Sequence, residues 1–278
     1  MSKPNKITRR ALFSPLRATS AAPKRQAETP VAPEDVQADA APKRLSRWGM
    51  AIDLDLCSGC GGCVVSCKSE NNVPMLGPEQ ESAGCTVEWM SVLPRGAKTD
   101  EPGSAPLEVM PVPCFHCDNP PCVKVCPVNA TYQNEEGIVA QIWDRCIGCR
   151  YCTVACPYSR RSFNWKHAEW PESYRSMLNP DVGLRPEGIV EKCTFCHHRI
   201  RKLKEEAKLA GRELKSEEFD NLPACSESCP AGAIVFGDLN DPDSRVSRMA
   251  ASPRASRMHE HLGTKPKVFY LAKDRRNL

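Results

Sequence analysis

Residues 114–157 read CFHCDNPPCVKVCPVNATYQNEEGIVAQIWDRCIGCRYCTVACP, two four-cysteine runs in succession. Cys114, Cys117, Cys122 and Cys126 are followed by Pro127; Cys146, Cys149, Cys152 and Cys156 are followed by Pro157. The second run has the spacing C-x2-C-x2-C-x3-C-P, in which three thiolates hold one iron-sulfur cube and the fourth reaches a neighbouring cube. Two-residue gaps let three sulfurs turn inward on one tight loop, and thiolate is the soft ligand that such clusters select. The three-residue step before the fourth cysteine suits a short helical turn, which the proline cannot continue with its hydrogen bonds intact. That sulfur therefore points away from its own loop. By this rule one cluster takes Cys126, Cys146, Cys149 and Cys152, and another takes Cys114, Cys117, Cys122 and Cys156. Paired zinc knuckles are the alternative, but zinc needs only two C-x2-C pairs and gains nothing from the cysteine-proline steps.

Two more runs flank this stretch. Cys57, Cys60, Cys63 and Cys67 repeat the spacing, with Lys68 in place of the proline and glycines that let the backbone approach a cluster closely. The last run is split into Cys193 and Cys196, then Cys225 and Cys229 before Pro230. Reciprocal exchange between these outer runs sets Cys57, Cys60 and Cys63 with Cys229, and Cys193, Cys196 and Cys225 with Cys67. His197 and His198 follow a C-x2-C pair, yet Cys225 and Cys229 supply ligands without them. Cys85 stands outside every run and reads as a small buried hydrophobe.

The step Cys-Pro-x-x-Ala occurs at Cys126–Ala130 and again at Cys229–Ala233, an internal repeat. It implies an α+β protein of two interleaved bacterial 2x(4Fe-4S) ferredoxin-like units with loop and helix insertions. Residues 47–113 with 157–278 make the outer unit, and 114–156 are inserted as the central one. Ala51–Leu56 alternates like a half-buried strand, Thr86–Leu93 and Pro106–Val112 are further strand candidates, and Ile234–Phe236 is another. Ile200, Leu203, Ala207, Ala210 and Leu214 step by three and four and predict an amphipathic helix within the last run.

The 278 residues include 17 cysteines and 25 prolines but only 6% aromatics, so cofactors more than side-chain volume are expected to fill the interior. A disulfide framework belongs to short secreted domains with looser spacings. Residues 1–46 carry nine Lys or Arg against four acids, leaving 29 bases and 30 acids for the remaining residues. A nucleic-acid binder would concentrate positive charge on its folded part, so no nucleic-acid partner is expected. The 1–46 arm has no hydrophobic period and reads as disordered. Its Thr8-Arg9-Arg10-Ala11-Leu12-Phe13 is a weak twin-arginine-like motif, interrupted at once by Ser14, Pro15 and Arg17. No run of 18 apolar residues exists, so no direct membrane span is expected. Nothing in the sequence forms a nucleophile-base pair, a phosphate loop or a Rossmann glycine motif, so no catalytic residue is assigned.

With all four runs in view, the chain resembles the iron-sulfur subunit of the complex iron-sulfur molybdoenzyme family (the DMSO reductase family). The residues that carry the resemblance are the wide Cys114–Cys122 loop, Cys146-Ile147-Gly148-Cys149-Arg150-Tyr151-Cys152, Lys68–Pro74, Arg161–Trp165, Val190–Cys193 and Leu262–Leu271, across residues 48 to about 272. They are most like the NrfC-type branch of polysulfide and tetrathionate reductases. The resemblance implies a non-catalytic subunit carrying electrons through four 4Fe-4S clusters, between an NrfD-type integral membrane subunit that reacts with quinone and a molybdopterin-containing catalytic subunit. It places the Cys57 cluster toward the catalytic subunit and the Cys114 cluster toward the membrane. It further implies peripheral membrane association through a partner, the periplasmic face favoured over the cytoplasmic. Lys124, Arg145, Arg150, Arg160, Arg161, Lys166 and Lys192 lie beside the runs, where they could raise reduction potentials or dock partners. A soluble polyferredoxin acting alone and a structural zinc protein are the competing readings.

Overall fold

The computed structural model describes residues 46–95 and 108–272. The twin-arginine-like motif and nearly all of the 1–46 arm lie outside these residues. The central strand is Trp48–Asp53, with all six residues buried. It pairs antiparallel with Ile234–Asp238, Met50 opposite Phe236, and parallel with Val268–Leu271, Met50 opposite Val268. Ala255–Ser256 adds to the far side of Val268–Leu271. Trp48, Met50 and Ile52 enter the main core with Phe236, Val268 and Tyr270, whereas Ala51 enters a second cluster with Val235, Val246 and Leu271. Burial of a side chain such as Met50 or Phe236 contributes about 1.5–3 kcal/mol.

Coverage on both faces is why this strand is fully buried, not half-buried as its alternation predicts. Its end is also earlier than expected. Asp53 is held by Arg254 at 2.8 Å, and its Oδ1 accepts from the Asp55 amide at 3.0 Å, which turns the backbone ahead of Leu56. Gly49 is required, because a Cβ there would overlap the Leu239 side chain.

Three two-stranded ribbons complete the β structure of the described residues: Ser91–Arg95 with Glu108–Val112, Thr131–Gln133 with Val139–Gln141, and Ser162–Phe163 with Val190–Glu191. The strand expected from Thr86 begins only at Ser91. Val87, Trp89 and Met90 turn into the core, while the Glu88 amide donates to Ser162 Oγ at 3.0 Å instead of to a strand partner. The amphipathic helix spans His197–Leu209 with Ile200 and Ala207 buried. It stops at Gly211, in the left-handed region at φ 62°, so Leu214 packs against the core from beyond the helix.

One buried ion pair ties the segments together. Arg185 Nε donates to Glu191 Oε2 at 2.6 Å, both side chains essentially excluded from solvent. Trp89 Nε1 donates to the same oxygen at 3.1 Å, and Arg185 Nη2 donates to the Asn72 carbonyl at 2.7 Å. Removing one partner leaves the other charge buried and uncompensated, which costs about 3–5 kcal/mol. Arg185→Ala is therefore expected to lower stability by about that amount in denaturant unfolding. Arg175→Ala, which breaks the exposed Arg175–Glu172 pair, is expected to change it by less than about 1 kcal/mol.

Candidate metal centres

Four short helices carry cysteines out of the loops: Gly62–Glu70, Pro121–Lys124, Tyr151–Ala155 and Ala224–Glu227. The residue behind the fourth cysteine decides how each ends. Cys156 lies just past its helix with extended backbone and Pro157 behind it. Cys67, followed by Lys68 and not by proline, stays inside a helix that runs on to Glu70. The loops leading into these helices and into His197–Leu209 coil through left-handed positions at Gly59, Gly61, His116, Gly148, Arg150, Phe195 and Cys196. Gly148 admits no other residue without movement, because a Cβ there would overlap the Gly188 carbonyl oxygen. His116, Arg150, Phe195 and Cys196 hold this region without glycine's freedom, at a cost of order 1–3 kcal/mol each.

The fold gathers the cysteines into four sets. One cavity is lined by Cys57, Cys60, Cys63 and Cys229, a second by Cys114, Cys117, Cys122 and Cys156, and a third by Cys126, Cys146, Cys149 and Cys152. Cys67, Cys193, Cys196 and Cys225 form the fourth set, all four buried and within one another's field. Among the described residues no three of His, Cys, Asp and Glu converge on a single-ion position. In three of the sets the sulfurs stand around a cavity instead, a donor set suited to a multi-atom cluster with soft-metal corners.

Electrostatics within the sets are consistent with that chemistry. Burial, then the charges of Cys57, Cys229 and Cys60, pushes the Cys63 thiol up to about 11. Burial, then Cys114, pushes Cys117 up to about 12, and burial, then Cys114, pushes Cys193 to about 12 as well. Four thiolates can coexist in such a place only around a cation, and metal loading must release the protons. The protein already supplies hydrogen bonds to sulfur. The amides of Ala233, Thr131 and Phe195 donate to Cys229, Cys126 and Cys193 at 3.3, 3.4 and 3.4 Å. Asn71 Nδ2 lies 3.8 Å from Cys67 Sγ and 3.6 Å from Cys196 Sγ.

The neighbours of each thiol give the order of the sets. Cys63 lies within electrostatic reach of Cys67 and Cys225, Cys114 of Cys193, and Cys122 of Cys152. The order therefore runs from the Cys57 set to the Cys67 set, then the Cys114 set, then the Cys146 set. Cys60 is exposed at one end and Cys149 at the other. This corrects the expectation that the Cys114 set faces outward. Its wide loop is folded inside: His116 is fully buried, stacked on Phe195 at 3.8 Å, and its Nδ1 accepts from the Val139 amide at 3.1 Å.

His198 Nε2 pairs with Glu70 Oε1 at 2.6 Å, beside Arg199, so its ring is engaged away from the cysteines. Cys85 is partly exposed instead of buried, its thiol 3.7 Å from the Ala83 carbonyl, because the segment around it packs on the surface. Of the seven basic residues beside the runs, Lys124, Arg145, Arg150 and Lys166 are exposed and Arg160 is intermediate, whereas Arg161 and Lys192 are buried. Spacing carried no signal for that division, nor for Asn71.

Comparison with known proteins agrees with the geometry. Residues 106–187 match the 4Fe-4S dicluster domain. The chain is 48% identical over 231 residues to the menaquinone reductase iron-sulfur cluster-binding subunit of Nitratidesulfovibrio vulgaris, covering 82% of this chain and 89% of that one. It is 37% identical over 257 residues to the B subunit of tetrathionate reductase of Salmonella typhimurium, covering 92% and 82%. It is 35% identical over 229 residues to the B chain of polysulfide reductase of Wolinella succinogenes, covering 82% and 96%. Similarity of this extent, added to four cysteine sets in file, shows that the chain itself belongs to the iron-sulfur subunits of the complex iron-sulfur molybdoenzyme family.

Proposed function

We propose that this chain is the electron relay of a quinone-linked respiratory complex. Electrons pass singly through four 4Fe-4S clusters between a quinone-reactive integral membrane subunit and a molybdopterin-containing catalytic subunit. The observation that carries the reading is the single file of four cysteine sets, exposed at Cys60 and Cys149, with every cysteine of the two middle sets but Cys156 buried. Each cluster, when bound, supplies a one-electron carrier whose potential follows its hydrogen bonds, charge and exposure.

The ligands in this reading are Cys57, Cys60, Cys63 and Cys229; Cys67, Cys193, Cys196 and Cys225; Cys114, Cys117, Cys122 and Cys156; and Cys126, Cys146, Cys149 and Cys152. Amide and Asn71 donors hold the thiolate charge in place, and the middle of the path is the shielded part, with the Cys67 set wholly buried and the Cys114 set buried except at Cys156. Ile147, Tyr151 and Val154 stand exposed around Cys149, an apolar rim suited to a membrane partner, so the Cys146 set is the membrane end. The Cys57 set is then the end toward the catalytic subunit. Residues 114–156 act as a central ferredoxin-like unit within an outer one of 47–113 and 157–278. Pairing of Trp48–Asp53 with Ile234–Asp238 and Val268–Leu271 supports that reading by joining the two halves of the outer unit in one sheet. Among the described residues no helix is long and apolar enough to cross a membrane, and attachment falls to the partner.

Anaerobic purification from native membranes, with iron, acid-labile sulfide, zinc and molybdenum counted per chain, tests the proposal. About sixteen irons and sixteen sulfides with a molybdenum-containing partner are expected. The same iron with no partner would make the protein a free polyferredoxin, and zinc without sulfide would overturn the reading. Within the complex, Cys149→Ser is expected to cost about one to four irons and to stop quinone-driven reduction of the remaining clusters. Cys85→Ser should retain full iron content and full transfer, as measured by iron assay and by dithionite against quinol reduction.

A further inference from the structure

Arg161 is 7% exposed and lies where the Cys114 and Cys146 sets meet. Its Nη1 donates to Gln141 Oε1 at 3.1 Å and to Thr131 Oγ1 at 3.3 Å. Its Nε and Nη2 are buried with no oxygen or nitrogen acceptor, and the guanidinium faces the Cys122 and Cys152 sulfurs instead. No carboxylate among the described residues forms an ion pair with it; it lines the cavity of Cys114, Cys122 and Cys156, and the sulfurs that act on it are Cys122 and Cys152, then Cys114. Burying a guanidinium is costly unless an anion compensates it. Here the compensating groups are sulfurs, Cys122 and Cys114 from one set and Cys152 from the next. Lys192, the other buried cation beside the runs, acts on a single set, through Cys193, and donates to the Cys193 carbonyl at 2.6 Å.

The same side chain acts on a third sulfur through Thr131. The Thr131 hydroxyl contacts Gln141 Oε1 at 2.5 Å and accepts from Arg161, and the Thr131 amide donates to Cys126 Sγ at 3.4 Å. Arg161 thus sets its charge beside Cys122 and Cys114 of one set and Cys152 of its neighbour, and reaches a further sulfur of that neighbour through a held amide. A positive charge and N–H donors stabilise the more negative, reduced form of a cluster, and they do so more strongly where water is excluded. We propose that Arg161 is the positioning residue that raises the reduction potentials of the Cys114 and Cys146 clusters together, making the last two steps at the membrane end a matched pair.

The proposal rests on the four-cluster reading, and the test separates the two. Wild-type complex, Arg161→Gln, Arg161→Lys and the exposed control Lys124→Gln are poised with redox mediators, and each cluster signal is followed by electron paramagnetic resonance alongside iron and sulfide counts. In R161Q two of the four signals are expected to show at least tenfold less reduced form at a fixed poise, a fall of about 59 mV for one electron. The other two should move less than about threefold, or roughly 28 mV by the same conversion. R161K keeps the charge but loses the fork, and the same pair should shift in the same direction by less than in R161Q. K124Q should leave all four in place. Should R161Q fail to retain iron, R161K decides on the same pair. Full iron with unmoved potentials, an equal shift of all four signals, or loss of iron in both Arg161 variants would overturn the inference. Absence of four cluster signals in the wild type would instead overturn the reading beneath it.

Discussion

Thiol groups gathered in fours, nine of the sixteen buried and each set within one electrostatic field, are the constraint on which the rest of this structure depends. Burial and mutual repulsion both oppose ionisation, as at Cys63, Cys117 and Cys193, so such a cavity is stable as a thiolate cage only around cationic metal. The surrounding residues are arranged to limit that cost. Backbone amides and Asn71 point at sulfur, and a guanidinium with no carboxylate partner among the described residues sits between two sets. The hydrophobic core is organised around the same places: Cys63, Cys67, Cys114, Cys117, Cys193 and Cys225 are themselves members of the largest buried cluster, beside Trp48 and Phe236.

The loops that present these sulfurs are strained and must be held from outside. His116, Arg150, Phe195 and Cys196 occupy left-handed backbone without being glycine, which persists only where packing over-determines it. His116 and Phe195 stack on each other from two different loops, and Arg150 lies over Trp165 at 4.6 Å and Phe163 at 5.3 Å. Each contact links a cysteine loop to a segment distant in sequence. The inner and outer runs are therefore mechanically coupled, as a protein that must keep its redox centres in file requires.

Much of the candidate site is legible in the sequence because ligand spacing is a local property. Two residues between cysteines, then three, then proline specify a tight loop, a helical turn and a sulfur directed elsewhere, and the geometry at Cys156 follows from those few residues. Substitution of Lys68 for the proline lets the Gly62–Glu70 helix continue, again a local effect. The amphipathic helix is legible for the same reason, though its end is set by Gly211 and not by the last apolar step at Leu214.

By itself, then, the sequence determined which sulfurs can share a loop, that soft-metal clusters are the matching cofactor, and which family the protein resembles, since these follow from residue type and short-range spacing. Tertiary structure alone decided the order of the four sets, with the Cys114 set inside and the Cys146 set at the surface. It also decided that Trp48–Asp53 is covered on both faces, that Cys85 stays near solvent, and that Arg161 among seven basic neighbours is the one buried where two sets meet. Those outcomes depend on which distant segments pack against each residue. Burial and charge environment are set by such contacts, and neither is encoded in spacing along the sequence.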